Sequence, residues 1–191
     1  MNRIRFYSTL SLTAIALSAV CFTTASVCVC SAKNLTVNLT PSLPLGLYKK
    51  TPIDLNNLRV GQEIMLCPIS PQKSEVMQFA IEENWLIKNP KSSCPDHMIP
   101  FIKRIAALPG DTVNLNWDGI TVDNKLYANT RLMWRTEDGK SIPHINFGTY
   151  AVQPGTLWVY DTNSPRAFDS RYWGPIDNSQ VLYKIEPVFT W

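Results

Sequence analysis

From Phe6 to Ala32 the chain carries no charged residue. No other feature constrains the fold as much, because a run that long is suited to the roughly 30 Å hydrocarbon core of a bilayer and not to the inside of a small domain. Arg3 and Arg5 precede it, and with the terminal amine they favour a cytoplasmic N-terminus and delivery of everything after Lys33 to the other side. The run is only moderately apolar, since Ser8, Thr9, Ser11, Thr13, Ser18, Thr23, Thr24 and Ser26 interrupt it, and small residues at Cys30 and Ala32 suit leader cleavage. Retention as an anchor and removal as a leader both stay open. Residues 1–32 are therefore expected to be a membrane anchor or signal segment, and residues 33–191 an exported domain.

An exported part of that size can bury a core of its own, so one folded unit is expected. The 18 basic and 15 acidic residues are evenly mixed, and a net charge of +3 without a basic run gives no footprint for nucleic acid. Of five cysteines, Cys21, Cys28 and Cys30 lie in the uncharged run, which leaves Cys67 and Cys94 for the domain. In an oxidising compartment such a pair reads as a disulfide, the alternative being two buried thiols. With two histidines in the whole chain there is no ligand set for a closed zinc site, and neither metal nor cofactor is called for.

Alternation of apolar and polar residues reads as strands in Asn34 to Leu43, Val60 to Cys67, Pro100 to Leu108, Thr112 to Trp117, Ile120 to Val122, Thr149 to Val152, Leu157 to Tyr160 and Val181 to Val188. Pro109-Gly110, Asp118-Gly119, Asp123-Asn124 and Pro154-Gly155 punctuate them as turns. One helix interrupts the pattern: Ser70-Pro71 reads as its N-cap and first turn, and Met77, Ala80, Ile81, Trp85 and Ile87 carry its apolar face to about Lys88. It lies between Cys67 and Cys94, so a bond between them would close a helical insertion at its base. Architecture is expected to be mainly β, as one domain. Trp117, Trp134, Trp158, Trp173 and Trp191 are expected to pack in its core and edges.

Ser42 sits between Pro41 and Pro44, which fix backbone angles and hold it on a stiff, extended connection. In an extended Pro100 to Leu108, Phe101 and Ile105 share a face with Lys103 while Arg104 points away, so the lysine is buried and the arginine solvated. Three segments taken together carry a resemblance. They are Thr40-Pro41-Ser42-Leu43-Pro44, then Phe101 to Asp111 with its Lys103-Arg104 and Pro109-Gly110-Asp111, then Phe168-Asp169-Ser170-Arg171-Tyr172-Trp173-Gly174-Pro175. In that order they resemble the signal peptidase I family. Asn38-Leu39-Thr40-Pro41-Ser42-Leu43-Pro44-Leu45-Gly46-Leu47-Tyr48 is similar to the corresponding box of its conjugative-transfer members, the TraF group.

The resemblance implies a signal-peptidase-like β domain and a Ser-Lys serine endopeptidase, with Ser42 as nucleophile and Lys103 as general base. Such a base must be neutral near pH 7, which burial against apolar groups achieves by disfavouring the ammonium. By the same resemblance Thr40 and the Ser42 N–H serve the oxyanion, a role that a buried Thr40 hydroxyl would support. Asp169, Ser170 and Arg171 support the site, Asp169 pairing with Arg171. One departure matters: many signal peptidases carry a serine two residues before the Asp of Asp-Ser-Arg, and here that residue is Ala167. Asp161, Ser164 and Ser170 are then candidates to orient Lys103. His97 and His144 lie in no nucleophile context and are assigned nothing.

The substrate class implied is an exported precursor, a pilin subunit of a conjugation or type IV secretion apparatus, with peptide cyclisation in some members of the group. The place implied is the bacterial inner membrane, with the catalytic domain in the periplasm. A general signal peptidase serving many secreted proteins is the nearest alternative, and a catalytically silent assembly protein of the transfer apparatus the second.

Overall fold

In the computed structural model, the described residues are 34–161, 163–164 and 166–191. The uncharged run and the question of anchor or leader lie outside them. Among the described residues no helix is long and apolar enough to cross a membrane. The chain divides into two compact units, residues 1–36 and 37–191, and all but the first three described residues belong to the second.

The described residues are built on strands, as expected. In chain order they are β1 (Leu35–Asn38), β2 (Gly46–Thr51), β3 (Glu63–Leu66), β4 (Phe101–Ala107), β5 (Thr112–Asn116), β6 (Gly119–Val122), β7 (Lys125–Leu126), β8 (Gly148–Ala151), β9 (Thr156–Tyr160), β10 (Ile176–Asp177) and β11 (Val181–Thr190). They form a seven-stranded sheet in the order β1-β2-β11-β3-β4-β9-β10 and a four-stranded sheet in the order β7-β6-β5-β8. Strand alternation sorts side chains between two clusters: Ile64 and Leu66 of β3 join the main core with Ile105, Leu157 and Val159, whereas Met65 packs with Leu43, Tyr48 and Ile185. Gly46 opens β2 because β11 leaves no room for a side chain there; a Cβ would come within 2.3 Å of the Phe189 carbonyl oxygen.

A disulfide joins Cys67 and Cys94 and closes the helical insertion, as the sequence suggested. The helix itself, α1, is Glu75–Glu82, shorter than its pattern predicts at both ends. Ser74, not Ser70, is its N-cap, its hydroxyl accepting from the Met77 N–H, while Pro71–Lys73 form a separate 3₁₀ turn. At the other end Asn84 takes a left-handed conformation, φ 57°. The Trp85 N–H then reaches back to the Ala80 carbonyl at 2.8 Å and the Asn84 N–H to Ile81 at 3.0 Å, an asparagine-terminated Schellman motif. Trp85 packs edge-on against Phe79, 5.5 Å between centroids, so its apolar spacing reports this contact and not a further helical turn. A single helical turn, α2 (Ser170–Trp173), is the other α-helix among the described residues, with Asp169 as its N-cap. Trp158 and Trp173 are buried in the core, whereas Trp117, Trp134 and Trp191 are exposed, Trp117 packing edge-on against Phe147 and Trp191 tilted against Phe189.

Candidate active site

Ser42 lies on the loop between β1 and β2, and a buried asparagine ties that loop across its base. Asn38, 3% exposed, donates from Nδ2 to the carbonyls of Thr40 (2.9 Å), Leu43 (3.0 Å) and Pro44 (3.2 Å), and its Oδ1 accepts from Thr40 N and Oγ1. Tyr48 adds a hydroxyl hydrogen bond to the Pro44 carbonyl at 2.7 Å, and Asn163 donates to the Pro41 carbonyl at 3.3 Å. Two prolines stiffen the loop and three side chains anchor its carbonyls, so the serine is held on a short arch with few ways to relax. In the sequence Asn38 stands out only as part of a motif, and its bracing role emerges with the fold. The available signal was an asparagine shortly before a loop whose prolines cannot donate to those carbonyls.

Lys103 comes from the middle of β4 and is 3% exposed. Antiparallel pairing puts Ile64 of β3 opposite it, and Phe101 and Ile105 flank it two residues away. Arg104 turns the other way, to a partly exposed pair with Glu63 at 2.9 Å. The lysine Nζ lies 3.0 Å from Ser42 Oγ. Burial pushes its pKa below the ordinary lysine value of 10.5, outweighing the opposing pull of Asp169 and Asp161. An amine of lowered basicity within hydrogen-bond reach of an alcohol is the arrangement that lets the amine take the alcohol's proton.

The Asp169–Arg171 pair forms a fully buried frame behind these two residues. Arg171 grips the carboxylate through Nε at 2.7 Å and Nη2 at 2.9 Å and also donates to the carbonyls of Arg131 and Ala167. Asp169 Oδ2 in turn accepts from the Asp161 N–H at 3.1 Å, and Ser170 Oγ accepts from the Val159 N–H at 2.9 Å. The triplet therefore pins the end of β9 to α2. Of the three candidates to orient Lys103, Asp161 is brought to it, its Oδ2 standing 3.8 Å from the lysine Nζ, whereas Ser170 Oγ accepts from the Val159 N–H and Ser164 Oγ from the Arg166 N–H.

Thr40 is an exposed residue, and its hydroxyl donates to Asn38 Oδ1 at 2.8 Å. Two other polar groups fall outside the site: His97 is exposed, and His144 stacks on Phe147 with its Nδ1 against the Ile145 carbonyl.

A family model described as "Signal peptidase, peptidase S26" matches residues 6–191. The chain is 30% identical over 155 residues to "Plasmid transfer protein TraF" of Escherichia coli, covering 81% of this chain and 82% of that protein. It is 33% identical over 155 residues to "Conjugal transfer protein TraF" of Agrobacterium fabrum, covering 81% of each. To "Signal peptidase I V" of Bacillus subtilis it is 27% identical over 144 residues, covering 71% of this chain and 80% of that protein.

Proposed function

This chain belongs to the signal peptidase, peptidase S26 family, and on that premise we propose that it is a membrane-associated serine endopeptidase that processes a pilin-type precursor for conjugative transfer. The observation that carries the proposal is the 3.0 Å approach of Ser42 Oγ to a buried Lys103 Nζ. In the reaction, neutral Lys103 takes the Ser42 proton as Oγ bonds to the scissile carbonyl carbon, and the resulting ammonium returns that proton to the departing amine. Water then attacks the acyl-enzyme, with Lys103 again as base. The Ser42 N–H serves the oxyanion; for Thr40 to add a second donor its hydroxyl must leave Asn38 when substrate arrives.

Similarity to transfer proteins named TraF supports a substrate within a conjugation or type IV secretion apparatus. If a pilin's own N-terminus replaces water, the product is a cyclic peptide. The uncharged run preceded by Arg3 and Arg5 supports catalysis on the periplasmic side of a bacterial inner membrane.

Co-expression with a candidate pilin precursor tests this. Wild type yields the shortened product, and its mass separates a linear chain from a dehydrated, cyclic one; Ser42→Ala yields intact precursor while remaining folded and membrane-associated. Processing by Ser42→Ala removes the peptidase reading, and cleavage of many unrelated leaders with none of the pilin favours a general signal peptidase.

A further inference from the structure

An amine that accepts a proton in an apolar pocket becomes a buried cation, which is costly unless an anion waits beside it. The pairing of β4 with β9 supplies one. Arg104 lies opposite Tyr160 and Ile105 opposite Val159, so one step further along that register Asp161 stands opposite Lys103, on the same face. Asp161 is fully buried, and its two oxygens are used differently. Oδ1 accepts from the Asn163 N–H at 2.8 Å, whereas Oδ2 has no hydrogen-bond partner among the described residues and lies 3.8 Å from Lys103 Nζ.

We propose that Asp161 is the positioning residue of the general base: its free carboxylate oxygen draws the N–H side of the Lys103 amine, turns the lone pair toward Ser42, and stabilises the ammonium that forms there. This rests on the Ser42–Lys103 reading. As the Ser42 O–H bond breaks and the N–H bond forms, the carbonyl π pair moves to oxygen; on collapse the C–N bond breaks and the leaving amine takes the proton. Asp161 exchanges no proton in these steps; it is complementary to the charge of the transition state and not to that of the resting amine.

The other charged groups here are committed elsewhere. Asp169 is held in the two-point grip of Arg171, and Arg104 is paired with Glu63 on the opposite side of β4. Tyr48 and Tyr160, both near Asp161, are held protonated, burial raising their pKa values above 10.0. Asp161 is thus the uncommitted anion facing Lys103 among the described residues. Burial raises its own pKa to about 6, against the lowering influence of Lys103.

Asp161→Asn keeps the shape and the acceptor for the Asn163 N–H but removes the charge. In the full chain in detergent or bilayers, acting on a precursor, kcat is expected to fall about 10²-fold with little change in KM. The acidic limb of the kcat profile is expected to move to lower pH, because the anion that favoured the ammonium has gone. A wild-type profile in Asp161→Asn, with Ser42→Ala still inactive, overturns the proposal and leaves the Ser-Lys reading standing; activity in Ser42→Ala removes that reading itself. Should Asp161→Asn fail to fold, the reciprocal measurement decides. The Asp161 side-chain carbonyl ¹³C resonance should titrate at higher pH in Lys103→Met than in wild type, and an unmoved midpoint overturns the proposal.

Discussion

Replacing Asn38 by aspartate changes one NH₂ into an oxygen and should damage the Ser42 loop more than removing the side chain altogether. In Asn38→Ala the Leu43 carbonyl loses its donor inside the protein, which costs about 1–3 kcal/mol, while the Pro44 carbonyl keeps the Tyr48 hydroxyl and exposed Thr40 turns to water. In Asn38→Asp the carboxylate keeps the Thr40 N–H contact but sets an oxygen against three carbonyl oxygens now 2.9 to 3.2 Å from Nδ2. That loses the same hydrogen bonds and buries an unpaired charge, a further cost of at least about 1–2 kcal/mol. Urea unfolding at pH 7 should therefore rank wild type above Asn38→Ala and Asn38→Asp last, with precursor cleavage per folded molecule in the same order. On acidification the aspartate gains a proton and becomes a donor again, so the gap between the variants should narrow. An Asn38→Asp protein as stable and active as wild type at neutral pH would refute the bracing role.

The pKa of Asp161 rises from 3.8 unfolded to about 6 folded. Stability from this group is fully present below pH 3.8 and is lost as pH rises through 6, a loss of about 3 kcal/mol at 1.36 kcal/mol per unit. Asp161→Asn is thus expected to raise the thermal midpoint at pH 7 and to raise it little at pH 4, even as it slows catalysis; an equal midpoint shift at both pH values would contradict this. Converting Cys67 and Cys94 together to serine releases a closed loop of sequence separation 27. Urea unfolding should show a loss of about 3 kcal/mol, with cleavage per folded molecule retained, since neither cysteine touches Ser42 or Lys103.

The strand carrying Lys103 was legible because alternation is a local property: Phe101, Lys103 and Ile105 had to share a face, and apolar neighbours on that face dictate a dry amine. Local chemistry likewise exposed the disulfide and the stiff loop at Ser42. Less legible was β2, whose Gly46-Leu47-Tyr48-Lys49-Lys50-Thr51 has no clean alternation and becomes a strand through pairing with β11. The two-residue β7 and β10 exist only as partners of β6 and β9. The end of α1 was misjudged because Trp85 and Ile87 fall at helical spacing, whereas left-handed Asn84 ends the helix before them. Which group faces Lys103 depends on the β4–β9 register, and register is set by long-range pairing that no single segment encodes.

The central claim is that the amine of Lys103 is deprotonated beside Ser42 at working pH. Its ε-carbon chemical shift, followed against pH in selectively ¹³C-labelled full-length protein and assigned by loss of the resonance in Lys103→Met, reads that state directly. Burial predicts a midpoint well below the 10.5 of a free lysine, with precursor cleavage falling as pH drops through the same midpoint. A midpoint at the ordinary lysine value, with cleavage still proceeding at neutral pH, would contradict the account.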